Sequence, residues 1–303
     1  NLELGGNDAM IVCRDANLKR AAAGAAWAGI SNCGQSCGGV ERIYVVEEVY
    51  DEFLGLLKSE VSQLHQGNDT SQGGGPVQTD FGSLSTAGQK DTVKRHLAEA
   101  LELGARESAR SSRSTGAAGW DAGPSEDTEA GFFHPAVVLE HTDPTMAVMR
   151  DETFGPLIAV VRTKTEEDAV RMANDSYLGL TGSVWSMDRR RASRLAAAVE
   201  AGTVTLNDHL MSHGMPETPW GGYKQSGIGR SHGTPGFEEM TRTKVVVREH
   251  LPKLDRNMWW YPYSDLVLDG LSGALRLLTS GSIAGKIGGA LKLARLYLKR
   301  LKG

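Results

Sequence analysis

Ala9-Met10-Ile11-Val12-Cys13, then Asp15-Ala16-Asn17, an alanine-rich stretch from Leu18 to Ile30, a small-residue loop over residues 31–39 and Ile43-Tyr44-Val45-Val46 follow one another along the chain. The first run is short and apolar throughout, as a strand covered on both faces must be. Asp15 and Asn17 offer side-chain caps for the helix predicted over 18–30, and the β-branched run over 42–46 reads as a second strand. Strand, helix, strand is the unit of a parallel sheet, because parallel neighbours need a crossover between them. The rhythm continues. Val49, Phe53, Leu56, Leu57, Val61 and Leu64 recur at helical spacing; residues 157–161 read as a strand and 166–173 as a helix; 183–186 and 204–206 are strands on either side of a helix over 189–201 closed by Gly202. The fold class expected is α/β, an open, largely parallel sheet with helices on both faces.

Between these units, residues 66–75 are rich in Gly, Asn, Ser and Gln and read as loop, and 91–103 as an amphipathic helix ended by Gly104. Residues 105–131 hold almost no large apolar side chain apart from Trp120, so a flexible surface insertion is expected there. The ordered pattern resumes at Phe132-Phe133 and Val137-Val138-Leu139.

With 303 residues, 40% of them apolar, the chain has ample material for a large core. A formal charge of −4 gives no electrostatic case for nucleic acid, whose binding is dominated by phosphate neutralisation. Three cysteines, an odd number without framework spacing, argue for a reducing compartment, and a cytoplasmic location is expected.

The cysteines separate by context. Cys13 ends an apolar run and is expected to be an inert core residue. Cys33 and Cys37 form a lone C-x3-C, poor evidence for zinc, and no metal is expected; Cys33 reads as a small filler. Cys37 stands in Gly34-Gln35-Ser36-Cys37, a loop of small residues where a thiol is both exposed and held. A free thiol with pKa about 8.5 is scarcely ionised at neutral pH, so a nucleophile here needs backbone N–H groups, a helix end or a nearby base. Glu3, 34 residues upstream, is the candidate base.

Four motifs occur in order: Glu3-Leu4-Gly5-Gly6, Gly34-Gln35-Ser36-Cys37, Glu152-Thr153-Phe154-Gly155-Pro156, and Pro219-Trp220-Gly221-Gly222-Tyr223-Lys224-Gln225-Ser226-Gly227-Ile228-Gly229-Arg230. Together they resemble the NAD(P)-dependent aldehyde dehydrogenase superfamily. The resemblance implies that Cys37 is the nucleophile, passing through a thiohemiacetal and a thioester, and that Glu3 is the general base that activates water. It implies further that Glu152 holds the nicotinamide ribose hydroxyls, that Phe154 packs near the nicotinamide and that Leu4 and Gly5 border it through backbone atoms. The cofactor is then NAD or NADP, the substrate a small-molecule aldehyde and the product a carboxylic acid. Half of the oxyanion site, an asparagine amide in the family, is expected outside this chain, as is the amino-terminal cofactor domain. Asn207 is expected near the nucleophile, and His209 and His213 in satisfied or tunnel-lining roles. The glycines from 227 to 232 are not a dinucleotide fingerprint, for they lack a preceding strand and the last glycine.

The domains expected are a catalytic domain over 1–241 with the insertion at 105–131, a strand within 242–250, and a basic amphipathic tail over 251–303. Lys244-Val245-Val246-Val247-Arg248 reads either as a charge-protected edge strand or as a strand that completes a sheet in another subunit. The second is what the resemblance implies, so a homo-oligomer is expected. From 270 to 303 there are seven basic residues and no acidic one. No uncharged stretch approaches the roughly 20 residues of a membrane span. Lys292, Arg295, Lys299 and Lys302 share one helical face, which leaves two readings: a peripheral membrane contact or a helix packed on its own protein. Two other functions stay open at this stage, a cofactor-independent thiol esterase or acyl hydrolase and a non-catalytic membrane- or partner-binding fragment.

Overall fold

The computed structural model describes residues 1–67, 79–113, 131–250, 252, 256–257 and 260–301. The chain divides into two compact units, Asn1–Arg242 and Thr243–Gly303.

The first unit is built on a seven-stranded sheet: β1 Asp8–Val12, β2 Val40–Val46, β3 Arg106–Arg110, β4 Val137–Glu140, β5 Leu157–Thr163, β6 Thr181–Trp185 and β7 Thr203–Leu206. Their spatial order is β7-β6-β1-β2-β5-β4-β3, and every pair is parallel except β3 with β4. Every residue of β1, β2, β4 and β6 is buried, so the sheet is covered on both sides. Handedness assigns the helices. The step from β1 through α1 (Leu18–Ile30) to β2 moves one way across the sheet, whereas the step from β5 through α5 (Glu166–Asn174) to β6 moves the other way. Right-handed crossovers then lay α1 and α5 on opposite faces. In agreement, α1 packs on α2 (Glu47–Gln63), and α5 on α6 (Arg189–Ala198); two short helices, α4 Ala147–Arg150 and α7 Gly233–Glu239, belong to the same unit.

Local signals set the helix ends. Asn17 caps α1 by accepting from Arg20 N–H, and Asp188 caps α6 by accepting from Arg190 and Arg191. The helix α3 spans Ala87–Glu102 and begins four residues before the predicted start, because Thr86 accepts from Gln89 N–H. The helix α6 stops at Ala198, short of the predicted Ala201: Asn174 accepts from Glu200 N–H and donates to Ala198 C=O, ending the helix before Gly202 is reached.

The segment 105–131 is only partly as expected. Arg106–Arg110 is the edge strand β3, and Ser112–Arg113 pairs with His65–Gln66. An edge strand needs few apolar residues: Ala105 and Ala109 are buried, while Arg106 pairs with Glu140 and Arg110 with Glu107. Residues 114–130, with Trp120, and residues 68–75 of the predicted earlier loop lie outside the described residues.

The second unit contains Lys244–Arg248, which has no ladder partner among the described residues, and a pair of helices, α8 Asp265–Thr279 and α9 Ile283–Leu301. The predicted tail helix is thus half of a hairpin. Its glycines, which weaken an isolated helix, are where the two backbones meet: a Cβ on Gly273 would lie 2.7 Å from Gly289 C=O. Val267 and Leu296 form its small core with Leu266, Leu271, Leu293 and Tyr297.

Phe53 is fully buried between α2 and the sheet, so Phe53→Ala is expected to cost about 3–5 kcal/mol, read as a lower urea midpoint. An unchanged midpoint would contradict this packing.

Candidate active site

Asp8, Val40, Leu157 and Thr181 are the first residues of four parallel neighbours, so all lie at one edge of the sheet. The loop ending at Cys37, the Glu3 motif and the Glu152 motif all run into this amino-terminal edge. Open α/β sheets ordinarily bind ligands at the opposite edge.

Cys37 lies on the tight loop between α1 and β2. The chain leaves α1 through Asn32 and Cys33, both left-handed (φ 55° and 59°), and Gly34 (φ +72°). Gly34 cannot be anything larger: a Cβ there would stand 2.2 Å from Gly155 C=O, so the cysteine loop and the Glu152 motif touch backbone to backbone. Gln35 ties the turn inward, donating to Asn32 C=O and accepting from Ser85 N–H. Gly38, after Cys37, lies against the buried Trp220 of the fourth motif.

Cys37 is half-buried, whereas Cys13 and Cys33 are buried. Burial pushes the thiols of Cys13 and Cys33 up to about 12, and Gln66 donates to the Cys33 sulfur at 3.7 Å. Cys37 is also raised, first by desolvation and then by the charges of Asp8, Glu152 and Glu3; its own N–H, turned toward the sulfur, opposes this. The helix preceding Cys37 presents its carboxyl end, the negative pole of its dipole.

Glu3 sits in a two-residue ladder, Leu2–Glu3 with Gly227–Ile228, which ties the first motif to the fourth. Its carboxylate is exposed, accepts from Ser231 Oγ, and is close enough for its charge to act on Cys37. Leu4 N–H donates to Ser226 C=O. Gly5 (φ +85°) presses on Glu152: a Cβ would lie 2.2 Å from the carboxylate. Gly6 N–H donates to Glu152 Oε1 at 3.1 Å, and among the described residues it is the only donor to that side chain. Burial raises the Glu152 pKa. Phe154 is left-handed (φ 49°). The carboxylate of Glu41 holds this turn in shape, accepting from Thr153 N–H and from Phe154 N–H at 2.8 Å.

Asp8 and Arg42 escaped the sequence reading, whereas His209, expected in a satisfied or tunnel-lining role, has partners on both ring nitrogens. Asp8 is buried and accepts from Thr181 N–H and Oγ1 (2.9 and 2.8 Å). Arg42, buried within β2, donates twice to Asn7 C=O and once to Tyr44 Oη. His209 is buried and neutral, its pKa pushed down to about 4 by desolvation. Its Nε2 lies 3.0 Å from Gly38 C=O and so carries the proton; its Nδ1 then accepts from Ser183 Oγ, which itself accepts from Trp185 Nε1. A histidine-to-carbonyl bond thus clamps the residue after Cys37. Asn207, expected beside the nucleophile, spends its amide on the backbone of Ser186 instead, because the chain turns at Asn207 (φ 55°) and the side chain caps that turn. His213 stacks edge-on against Trp220.

Two outcomes follow. Alkylation followed by mass spectrometry labels Cys37 before Cys13 or Cys33, with a midpoint above that of a free thiol; Glu152→Gln shifts the midpoint to lower pH, and an unmoved midpoint refutes the electrostatic coupling. Burial also raises Asp8 and Glu41 to about 8, outweighing their hydrogen bonds. The native state therefore keeps protons that the unfolded chain loses near pH 4, so this contribution to stability is full below about pH 4 and fades as pH rises through about 8. Glu41→Gln flattens that slope in urea titrations, and an equal slope in the variant would show that Glu41 is ionised throughout.

The aldehyde dehydrogenase family profile matches residues 1–246. The chain is similar to 4,4'-diapolycopene aldehyde oxidase of a Methylomonas species, 38% identical over 276 residues that make up 90% of this chain and 47% of that protein. It is similar to betaine aldehyde dehydrogenase of Bacillus subtilis, 34% identical over 83% of this chain and 48% of that one. Among solved structures, betaine aldehyde dehydrogenase of Staphylococcus aureus with NAD+ superposes with a TM-score of 0.69 at 33% identity, covering 78% of this chain and 44% of its own. An aldehyde dehydrogenase of Mycobacterium tuberculosis complexed with NAD+ gives 0.69 at 33% identity, over 80% and 46%. The chain spans about half the length of the curated relatives it matches. By sequence and by fold, the chain belongs to the aldehyde dehydrogenase family.

Proposed function

We propose that the protein containing this chain oxidises an aldehyde to a carboxylic acid with NAD(P)+, using Cys37 as nucleophile and Glu3 as base. The observation that carries this reading is that the loop of the half-buried Cys37 meets the Glu152 turn backbone to backbone at Gly34, while Gly5 of the Glu3 motif presses on Glu152. The Cys37 thiol gives its proton to solvent, and the sulfur forms a bond to the aldehyde carbon as the C=O π bond opens and the oxygen becomes negative. NAD(P)+, when bound, supplies the hydride acceptor. With the aldehyde C–H bond broken, its hydrogen lost as hydride, and the C=O re-formed, the acyl group is held as a thioester on Cys37. Glu3 takes a proton from water, the water oxygen bonds to the acyl carbon, and the C–S bond breaks to return the thiolate.

The residues suit such a cofactor. Glu152 has one oxygen pinned by Gly6 N–H and leaves the other for ribose hydroxyls, Phe154 offers an apolar wall, and Leu4 and Gly5 contribute main chain. The substrate class in this reading is a large apolar aldehyde, the kind named for the Methylomonas relative, whose similarity covers 90% of this chain. The exposed Val245-Val246-Val247, without a ladder partner among the described residues, supports a homo-oligomer joined through that segment.

In the full-length protein, Cys37→Ser is expected to lose at least about a thousandfold in kcat/KM, while Glu3→Gln keeps the first-turnover burst of reduced cofactor and loses the steady state. A Cys37→Ser enzyme of normal activity would overturn the assignment, and so would an unaltered steady state in Glu3→Gln.

A further inference from the structure

On α9, Ile283, Ile287, Leu291 and Leu298 recur at spacings of four and seven, which puts them on one face. All are between 57% and 79% exposed. The face that packs on α8 is a different one, built on Gly289, Leu293 and Leu296. Leu268, Leu275 and Leu278 form a second exposed stripe on α8. An exposed leucine ridge is costly in water and marks a surface that is covered when the protein works.

The charges decide what covers it. Lys286, Arg295 and Lys299 are exposed on α9, and residues 270–303 include no acidic side chain although the whole chain carries −4. Lys292 is already engaged by Asp269. A second copy of the hairpin would bring like charges together across a self-complementary contact. A nucleic acid would satisfy the cations but leave the leucines wet. An anionic bilayer satisfies both: the apolar stripe enters the acyl boundary and the cations meet the headgroups. Among the described residues no helix is long and apolar enough to cross a membrane, so the hairpin would lie in the interface.

We propose that the α8–α9 hairpin is a docking surface for an anionic phospholipid bilayer, with the exposed stripe of α9 as the inserted face and Lys286, Arg295 and Lys299 as the headgroup contacts. This is independent of the catalytic reading.

The test is co-sedimentation of the full-length protein with vesicles of phosphatidylcholine, alone or mixed with phosphatidylglycerol. Binding is expected to the mixed vesicles and to fall with salt. Lys286→Gln/Arg295→Gln/Lys299→Gln should weaken it roughly a hundredfold, at about fivefold per cation. Ile287→Glu/Leu291→Glu/Leu298→Glu should abolish it, with helix content by circular dichroism and oxidation of a water-soluble aldehyde unchanged, since those residues lie outside the packed face. Absence of binding to either vesicle, or binding that survives the glutamate substitutions, overturns the proposal. So does a glutamate variant that changes only the oligomeric state, which would assign the stripe to another copy of the chain. Failure of vesicle binding with aldehyde oxidation intact separates this inference from the proposed activity.

Discussion

Close approach of main chain around Gly34 is the constraint on which the first unit depends. The cysteine loop and the Glu152 turn meet there with no room for a side chain, and the neighbouring contacts at Gly5 and Gly38 bring in the first and fourth motifs. The sheet makes this convergence possible, because parallel pairing aligns the beginnings of β1, β2, β5 and β6 at one edge. Segments that are more than a hundred residues apart in sequence arrive within backbone contact. Cys37 owes its position to main-chain geometry, with Gln35 and the His209 bond to Gly38 fixing the turn on either side.

Electrostatics at the same edge run against ionisation. Desolvation is the leading cause of the raised pKa at Cys37, Asp8, Glu41 and Glu152 alike. Asp8 and Glu41 nevertheless stay useful as buried groups, since each satisfies N–H donors of a neighbouring segment. The hydrogen bonds of Glu41 hold the turn on which Glu152 and Phe154 stand, and those of Asp8 tie the start of β1 to the start of β6.

Much of this was legible in the sequence. The helix over 18–30 and the apolar strands around it follow from periodicity and caps, and the four motifs picked out the segments that converge. What was not legible was long-range. Asp8 reads as an ordinary acid until Thr181 is placed beside it, and Arg42 as an exposed strand residue until Asn7 C=O is known to face it. A satisfied His209 is expected from the sequence, but its partners Gly38 and Ser183 come from two other segments and leave no local signal. Arg106–Arg110 was read as loop because an edge strand closed by ion pairs lacks the apolar alternation that marks a half-buried one. In the second unit, glycines that weaken a lone helix gave no hint of the close helix pair they permit.

Cys37 follows the carboxyl end of α1 and faces acidic neighbours, so at rest its sulfur is mostly the protonated thiol. Peroxide attacks thiolates and scarcely touches thiols. The surroundings that keep the Cys37 thiol protonated therefore also shield it from sulfenic and sulfinic acid formation.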